Sequence, residues 1–159
     1  MFTGDRSGDW LFRALHKAGF ANQPLSESLA DGLHLKNCYI TATCRCAPPL
    51  NKLFPQEILN CRPFLSREIR LLTRVKVVIG LGKIGFDSAL RVFSERLNTA
   101  LSPRPRFAHG AEFPLRSGIT ILASFHPSQQ NTFTGRLTEH MFDSIFQRAK
   151  SILKGVQER

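Results

Sequence analysis

Apolar positions along the chain switch between helical and extended spacing, and the switches divide it into alternating elements. Trp10, Leu11, Ala14, Leu15 and Ala18 recur at helical spacing between Ser7, placed to cap the run, and Gly19, which stops it. Leu35 to Thr43 is rich in β-branched and aromatic residues and reads as a strand. Pro48 and Pro49 then impose a loop over Ala47 to Asn51, because neither helix nor sheet continues through adjacent prolines. Pro55 takes the favoured first position of a helix that reaches about Leu72, with a kink expected at Pro63. Val75 to Ile79 is a short buried strand and Phe86 to Leu97 a helix, whereas Asn98 to Ser117, broken by Pro103, Pro105 and Pro114, has no clear period. Ile119 to Phe125 is a second buried strand, followed by a polar loop. From Thr138 a last helix carries one apolar stripe, Met141, Phe142, Ile145, Phe146, Ala149, Ile152 and Leu153.

Helices alternating with strands predict an α/β fold, a three-layer α/β/α sandwich around a central, mainly parallel sheet. The strand ends at Cys44 to Asn51, Gly80 to Gly85 and His126 to Asn131 are expected to converge on one edge, where open α/β sheets bind ligands. A chain of 159 residues fits one such domain. Charge adds a partner: 22 Lys and Arg against 12 Asp and Glu give a formal charge of +10, which favours a polyanion such as nucleic acid. The excess is sharpest where Arg62, Arg67, Arg70, Arg74, Lys76 and Lys83 face only Glu68. No apolar run approaches membrane length and Met1 to Asp5 lacks the start of a signal peptide, so a cytoplasmic protein is expected. In that reducing compartment the cluster Cys38, Cys44, Cys46 and Cys61 suggests metal ligation before disulfides.

Three groups of residues carry candidate chemistry. The strand ending in His126-Pro127-Ser128 delivers an imidazole and a hydroxyl to a sheet rim, and Gln129, Gln130 and Asn131 add donors and acceptors suited to DNA backbone or base edges. Gly80-Leu-Gly-Lys-Ile-Gly85 matches a dinucleotide-binding turn between a strand and a helix, but no acidic residue ends the next strand to hold a ribose. Tight strand-to-helix packing accounts for those glycines. Cys46, at a strand end, and Cys61, on the helix that turns back over it, are either two ligands of a shared metal or cluster, which normally takes four, or inert buried hydrophobes; the default for Cys38 and Cys44 is a structural role on one strand face. Asp5, just before the first helix, is either a cap or a carboxylate that orients a water.

Four segments together resemble a known family. Phe2-Thr-Gly-Asp-Arg-Ser-Gly-Asp-Trp-Leu-Phe12, Cys46-Ala-Pro-Pro-Leu-Asn-Lys52 with Cys61, Val78-Ile-Gly-Leu-Gly82 and His126-Pro-Ser-Gln-Gln-Asn-Thr-Phe-Thr-Gly-Arg-Leu-Thr138 are similar to the family-5 uracil-DNA glycosylases, an iron–sulfur branch of that superfamily. The resemblance implies a monomeric enzyme of base-excision repair that hydrolyses the N-glycosidic bond of uracil, and of related deaminated bases, in DNA. It gives Asp5 the attacking water, Asn51 a supporting place in the pocket, and His126 the negative charge growing on the departing base. Ser128, Gln129, Gln130, Asn131, Arg136 and Lys52 would contact DNA, and Gln129 to Phe133 would fill the space left by a flipped base. Cys46 and Cys61 would hold a 4Fe-4S cluster.

In the family an Ala-Pro motif and two further cysteines precede the Phe-Thr-Gly-Asp segment, in which this sequence starts. The expectation is therefore an N-terminally truncated domain with two of four cluster ligands and one pocket wall missing. Ala42 stands where a sister branch carries a base-reading asparagine, which leaves the preferred deaminated base open. Two other readings remain at this point: a non-catalytic DNA-binding remnant, and a nucleotide-cofactor protein built on Gly80 to Gly85.

Overall fold

The computed structural model describes residues 4–45, 53–98 and 101–157. Among them the helices are α1 (Arg6–Ala18), α2 (Pro55–Leu71), α3 (Gly82–Arg96), α4 (Gln129–Phe133) and α5 (Glu139–Gln157), and the strands are β1 (Val77–Leu81), β2 (Glu112–Pro114) and β3 (Thr120–Ser124). The α/β class read from the alternation is the class observed. The chain divides into two compact bodies, one of Met1–Tyr39 with Ser124–Arg159 and the other of Ile40–Ala123.

The second body holds the sheet. Its order is β1-β3-β2, with β2 antiparallel to β3 so that Phe113 lies opposite Ile121. Every position of the central β3 is buried, the apolar Ile121 to Ala123 and the polar Thr120 and Ser124 at its ends alike. α3 packs on β1 and α2 on α3, closing a core of Leu65, Ile69, Phe86, Leu90, Phe93, Ile121 and Ala123. The glycine turn serves that packing. A Cβ on Gly80 would sit 2.5 Å from the Phe86 Cα and 2.8 Å from its nitrogen, so strand and helix approach too closely for any side chain. α3 accordingly starts at Gly82, inside the turn and four residues before the expected Phe86.

Two expectations are corrected here. Leu35 to Thr43 is not a strand: it contributes one isolated bridge, Leu35 with Ala21, and Asn37 adopts a left-handed φ of 51° that breaks the extended run. Cys38 and Cys44 therefore do not share a strand face, and Cys46 lies outside the described residues. β2 is a strand in the stretch that had no clear period, where Pro114 can end a three-residue edge element.

The first body is built on two helices. α1 packs on α5, with Leu11, Phe12, Leu15, Phe142, Ile145 and Phe146 all buried. Trp10 and Phe142 meet at 6.3 Å between ring centroids, and Phe142 meets Phe146 edge-on at 5.1 Å. Lys17 closes the margin with an ion pair of 2.7 Å to Asp143. No helix among the described residues is long and apolar enough to cross a membrane.

Candidate active site

The capping residue of α1 is Asp5, not Ser7. Its extended backbone, φ −119° and ψ 154°, lets Oδ1 accept the Gly8 amide at 2.7 Å, while Ser7 is already the second residue of the helix. Both ends of α1 are thereby fixed, since Gly19 at φ 85° closes the other by donating to the His16 and Leu15 carbonyls. Asp5 is exposed, and among the described residues Oδ2 has no hydrogen-bond partner. One carboxylate can thus cap a helix through one oxygen and hold a water through the other.

His126 lies two residues beyond β3, half-buried, with Pro127 fully buried behind it. Burial pulls its imidazole below the ordinary value of 6.5, and the Asp5 carboxylate acts in the opposite direction. The two residues, far apart in sequence, are within electrostatic reach in one body. At neutral pH the imidazole is uncharged, with one N–H to donate.

The loop after His126 is more ordered than its polar sequence suggests. Ser128 precedes the short helix α4, whose first residues Gln129 and Gln130 are exposed. Asn131 turns back, its Nδ2 donating to the His126 carbonyl at 2.9 Å, and the Leu137 amide donates to the Asn131 carbonyl at 2.9 Å. Leu137, fully buried, pins the far end of the loop. Two arginine–aromatic stacks flank it: Arg136 lies 4.6 Å over Phe125, and Arg6 lies 4.3 Å over Phe133. Sequence reasoning missed both stacks, although Arg6 adjoins Asp5 and Phe133 is an apolar residue in a polar loop.

Of the remaining candidates Cys38 lies in the first body, Cys44 and Cys61 lie in the second, and the rest fall outside the described residues. Cys46, Asn51 and Lys52 belong to the latter group. Cys61 is half-buried on α2. Cys38 is pushed up to about 11 by burial, so it stays a neutral thiol, as a packing residue would. Among the described residues no three His, Cys, Asp or Glu side chains gather closely enough to hold a metal, so these residues alone do not make up a four-thiolate cluster site. The basic face is partly neutralised within its own body: Arg62 pairs with Glu95 at 3.6 Å, Lys83 with Asp87 and Arg45 with Glu68.

Comparison with known proteins places these residues in a family. Residues 1–150 match the sequence model of the uracil DNA glycosylase superfamily. A type-5 uracil-DNA glycosylase of Mycobacterium bovis is 47% identical over 153 residues, covering 96% of this chain and 56% of that protein. The type-5 uracil-DNA glycosylase of Thermus thermophilus is 45% identical over 95% of this chain and 66% of its own length, and that of Pyrobaculum aerophilum 36% identical over 94% and 62%. The chain therefore spans between about half and two thirds of the length of these relatives.

The depressed His126 titration predicts a pH dependence. The folded state binds this proton less readily than the unfolded chain, so the stability tied to His126 is intact above the ordinary 6.5 and is lost as pH falls below it. Urea midpoints at pH of about 8 and about 5 should therefore fall less for His126→Gln than for the unaltered protein. Equal falls would mean that burial does not disfavour the charged imidazole.

Proposed function

Because the chain belongs to the uracil DNA glycosylase superfamily, we propose that it removes uracil and related deaminated bases from DNA by hydrolysis of the N-glycosidic bond, as one glycosylase domain working as a monomer in the cytoplasm. What supports the reading is that Asp5 and His126 lie within electrostatic reach in one body, a carboxylate with one oxygen that has no hydrogen-bond partner among the described residues and an imidazole kept neutral by burial. The target nucleotide is first turned out of the helix. As the bond between the sugar C1′ and the base nitrogen breaks, positive charge grows on the sugar and negative charge on the base. Oδ2 of Asp5 holds a water for attack on C1′ and favours the sugar cation through its charge. The His126 N–H donates to a carbonyl oxygen of the departing base, where the anionic charge accumulates. Addition of the water oxygen to C1′ releases one proton to solvent through Asp5, and the base anion leaves and takes up a proton. Asn51 assists at the pocket.

DNA is held by its backbone. The formal charge of +10 favours a phosphate-rich partner, and Ser128, Gln129, Gln130 and Arg136 border the reacting residues on the same loop. Lys52 and the Asn131 side chain add contacts in this reading, Asn131 also bracing His126. A non-catalytic remnant is not favoured, since the similar proteins are named uracil-DNA glycosylases. The dinucleotide reading is not favoured, since packing against Phe86 accounts for Gly80.

The experiment is single-turnover excision of uracil from an oligonucleotide by the protein carried to the full length of its relatives. His126→Ala and Asp5→Asn should each lower the rate by about 10²–10³, some 3–4 kcal/mol, with little change in DNA affinity. Excision at the unaltered rate without His126 would refute the mechanism.

No step above passes through a cofactor. Cys46 and Cys61 are proposed as two thiolates of a 4Fe-4S cluster, the other two coming from sequence that the longer relatives carry outside the matched region. Anaerobic purification should then give little iron or sulfide on the 159-residue chain, stoichiometric amounts on the lengthened protein, and a loss with Cys61→Ser. Iron-free lengthened protein would leave both cysteines as packing residues.

A further inference from the structure

Helix α4 and its flanks form a self-contained unit. Asn131 is bonded to the His126 carbonyl, Leu137 to Asn131, and Thr134 Oγ1 to the Gln130 carbonyl at 2.7 Å. None of these bonds ties the unit to the N-terminus of α1, where Asp5 sits. A different contact does. The Arg6 guanidinium lies 4.3 Å from the centroid of the Phe133 ring, inside the range of a cation–π attraction. Arg6 is the residue directly after Asp5, and Phe133 is the last residue of α4. Arg6 has no carboxylate partner among the described residues, and Phe133 is 64% exposed, far more than a loop aromatic needs if its task were core packing.

We infer that Arg6 and Phe133 are positioning residues, whose stack holds the His126 loop against the α1 N-terminus and so fixes the separation of the Asp5 carboxylate and the His126 imidazole. Neither touches the reacting atoms. The ring is attracted to the cation without competing for the Asp5 oxygens, as a carboxylate in its place would for Arg6 and a cation would for Asp5. The stack also keeps Arg6 from folding back onto Asp5, where an ion pair would occupy the oxygen left for water.

The test reads the coupling of Asp5 and His126 directly. In the 159-residue protein, followed by NMR titration of the His126 ring, Asp5→Asn keeps the helix cap but removes the charge, and should lower the His126 midpoint. With Phe133→Leu already present, the same Asp5→Asn change should move the midpoint much less; Phe133→Tyr should restore the full shift. Arg6→Gln, which also loses the stack, should behave like Phe133→Leu. A shift from Asp5→Asn that is equally large without the ring would overturn the inference. A second arm rests on the hydrolytic reading: in the lengthened protein Phe133→Leu should slow single-turnover excision about two- to fivefold with DNA affinity unchanged, the range an exposed cation–π contact supports. Loss of affinity at an unchanged rate would make Phe133 a DNA contact and overturn the positioning role. If no variant excises uracil, the glycosylase proposal fails while the titration still decides this one.

Discussion

The packing of α1 on α5 is the constraint on which the candidate site depends. Asp5 stands at the start of the described chain and His126 near its other end, and nothing local in sequence could bring them together. α1 begins at the residue after Asp5, and α5 begins directly beyond the loop that carries His126. Joining the two helices along Leu11, Leu15, Phe142 and Phe146 therefore sets where both candidate side chains are delivered. Each of those burials contributes about 1.5–3 kcal/mol, against about 0–1 kcal/mol for the exposed pairs of Lys17 and Arg13 with Glu139. The apolar seam decides the geometry, and the ion pairs follow it.

At Asp5 the helix cap that the structure shows and the proposed chemical role fall on one side chain. Capping alone would be met by Ser, Thr or Asn at about the same stability, within roughly 1 kcal/mol. Only an acid also brings a charge to the imidazole and an oxygen to a water. At His126 the opposing influences are unequal: burial outweighs the nearby carboxylate, so the ring is kept neutral and is suited to donate to an anion rather than to form a fixed ion pair. The bracing of the His126 carbonyl by Asn131 then orients a residue whose own backbone is limited by the following proline.

Periodic elements were legible in the sequence because burial enforces their period. The helices of Trp10 to Ala18 and Met141 to Leu153, the helix opened by Pro55 and the strands near Val77 and Thr120 appear close to where spacing put them. Leu35 to Thr43 failed because β propensity says nothing of a left-handed Asn37, and β2 escaped because three edge residues carry too little pattern. The glycine motif shows the limit of motif reading: the turn is present, and the reason for Gly80 is the Phe86 backbone behind it. Asp5 and His126 were singled out as candidates through the motifs around them. Their coming within electrostatic reach, and the stack of Arg6 on Phe133, depend on long-range packing that no local pattern encodes.

If the α1–α5 seam holds the site, the two helices must open together. Native-state amide hydrogen exchange reads this directly, residue by residue, without needing a substrate. The amides of Leu11 to Leu15 and of Phe142 to Phe146 should exchange with the same opening free energy and the same dependence on denaturant. Protection of α5 with α1 opening separately at much lower free energy would contradict the account, because Asp5 would then be delivered by something other than this seam.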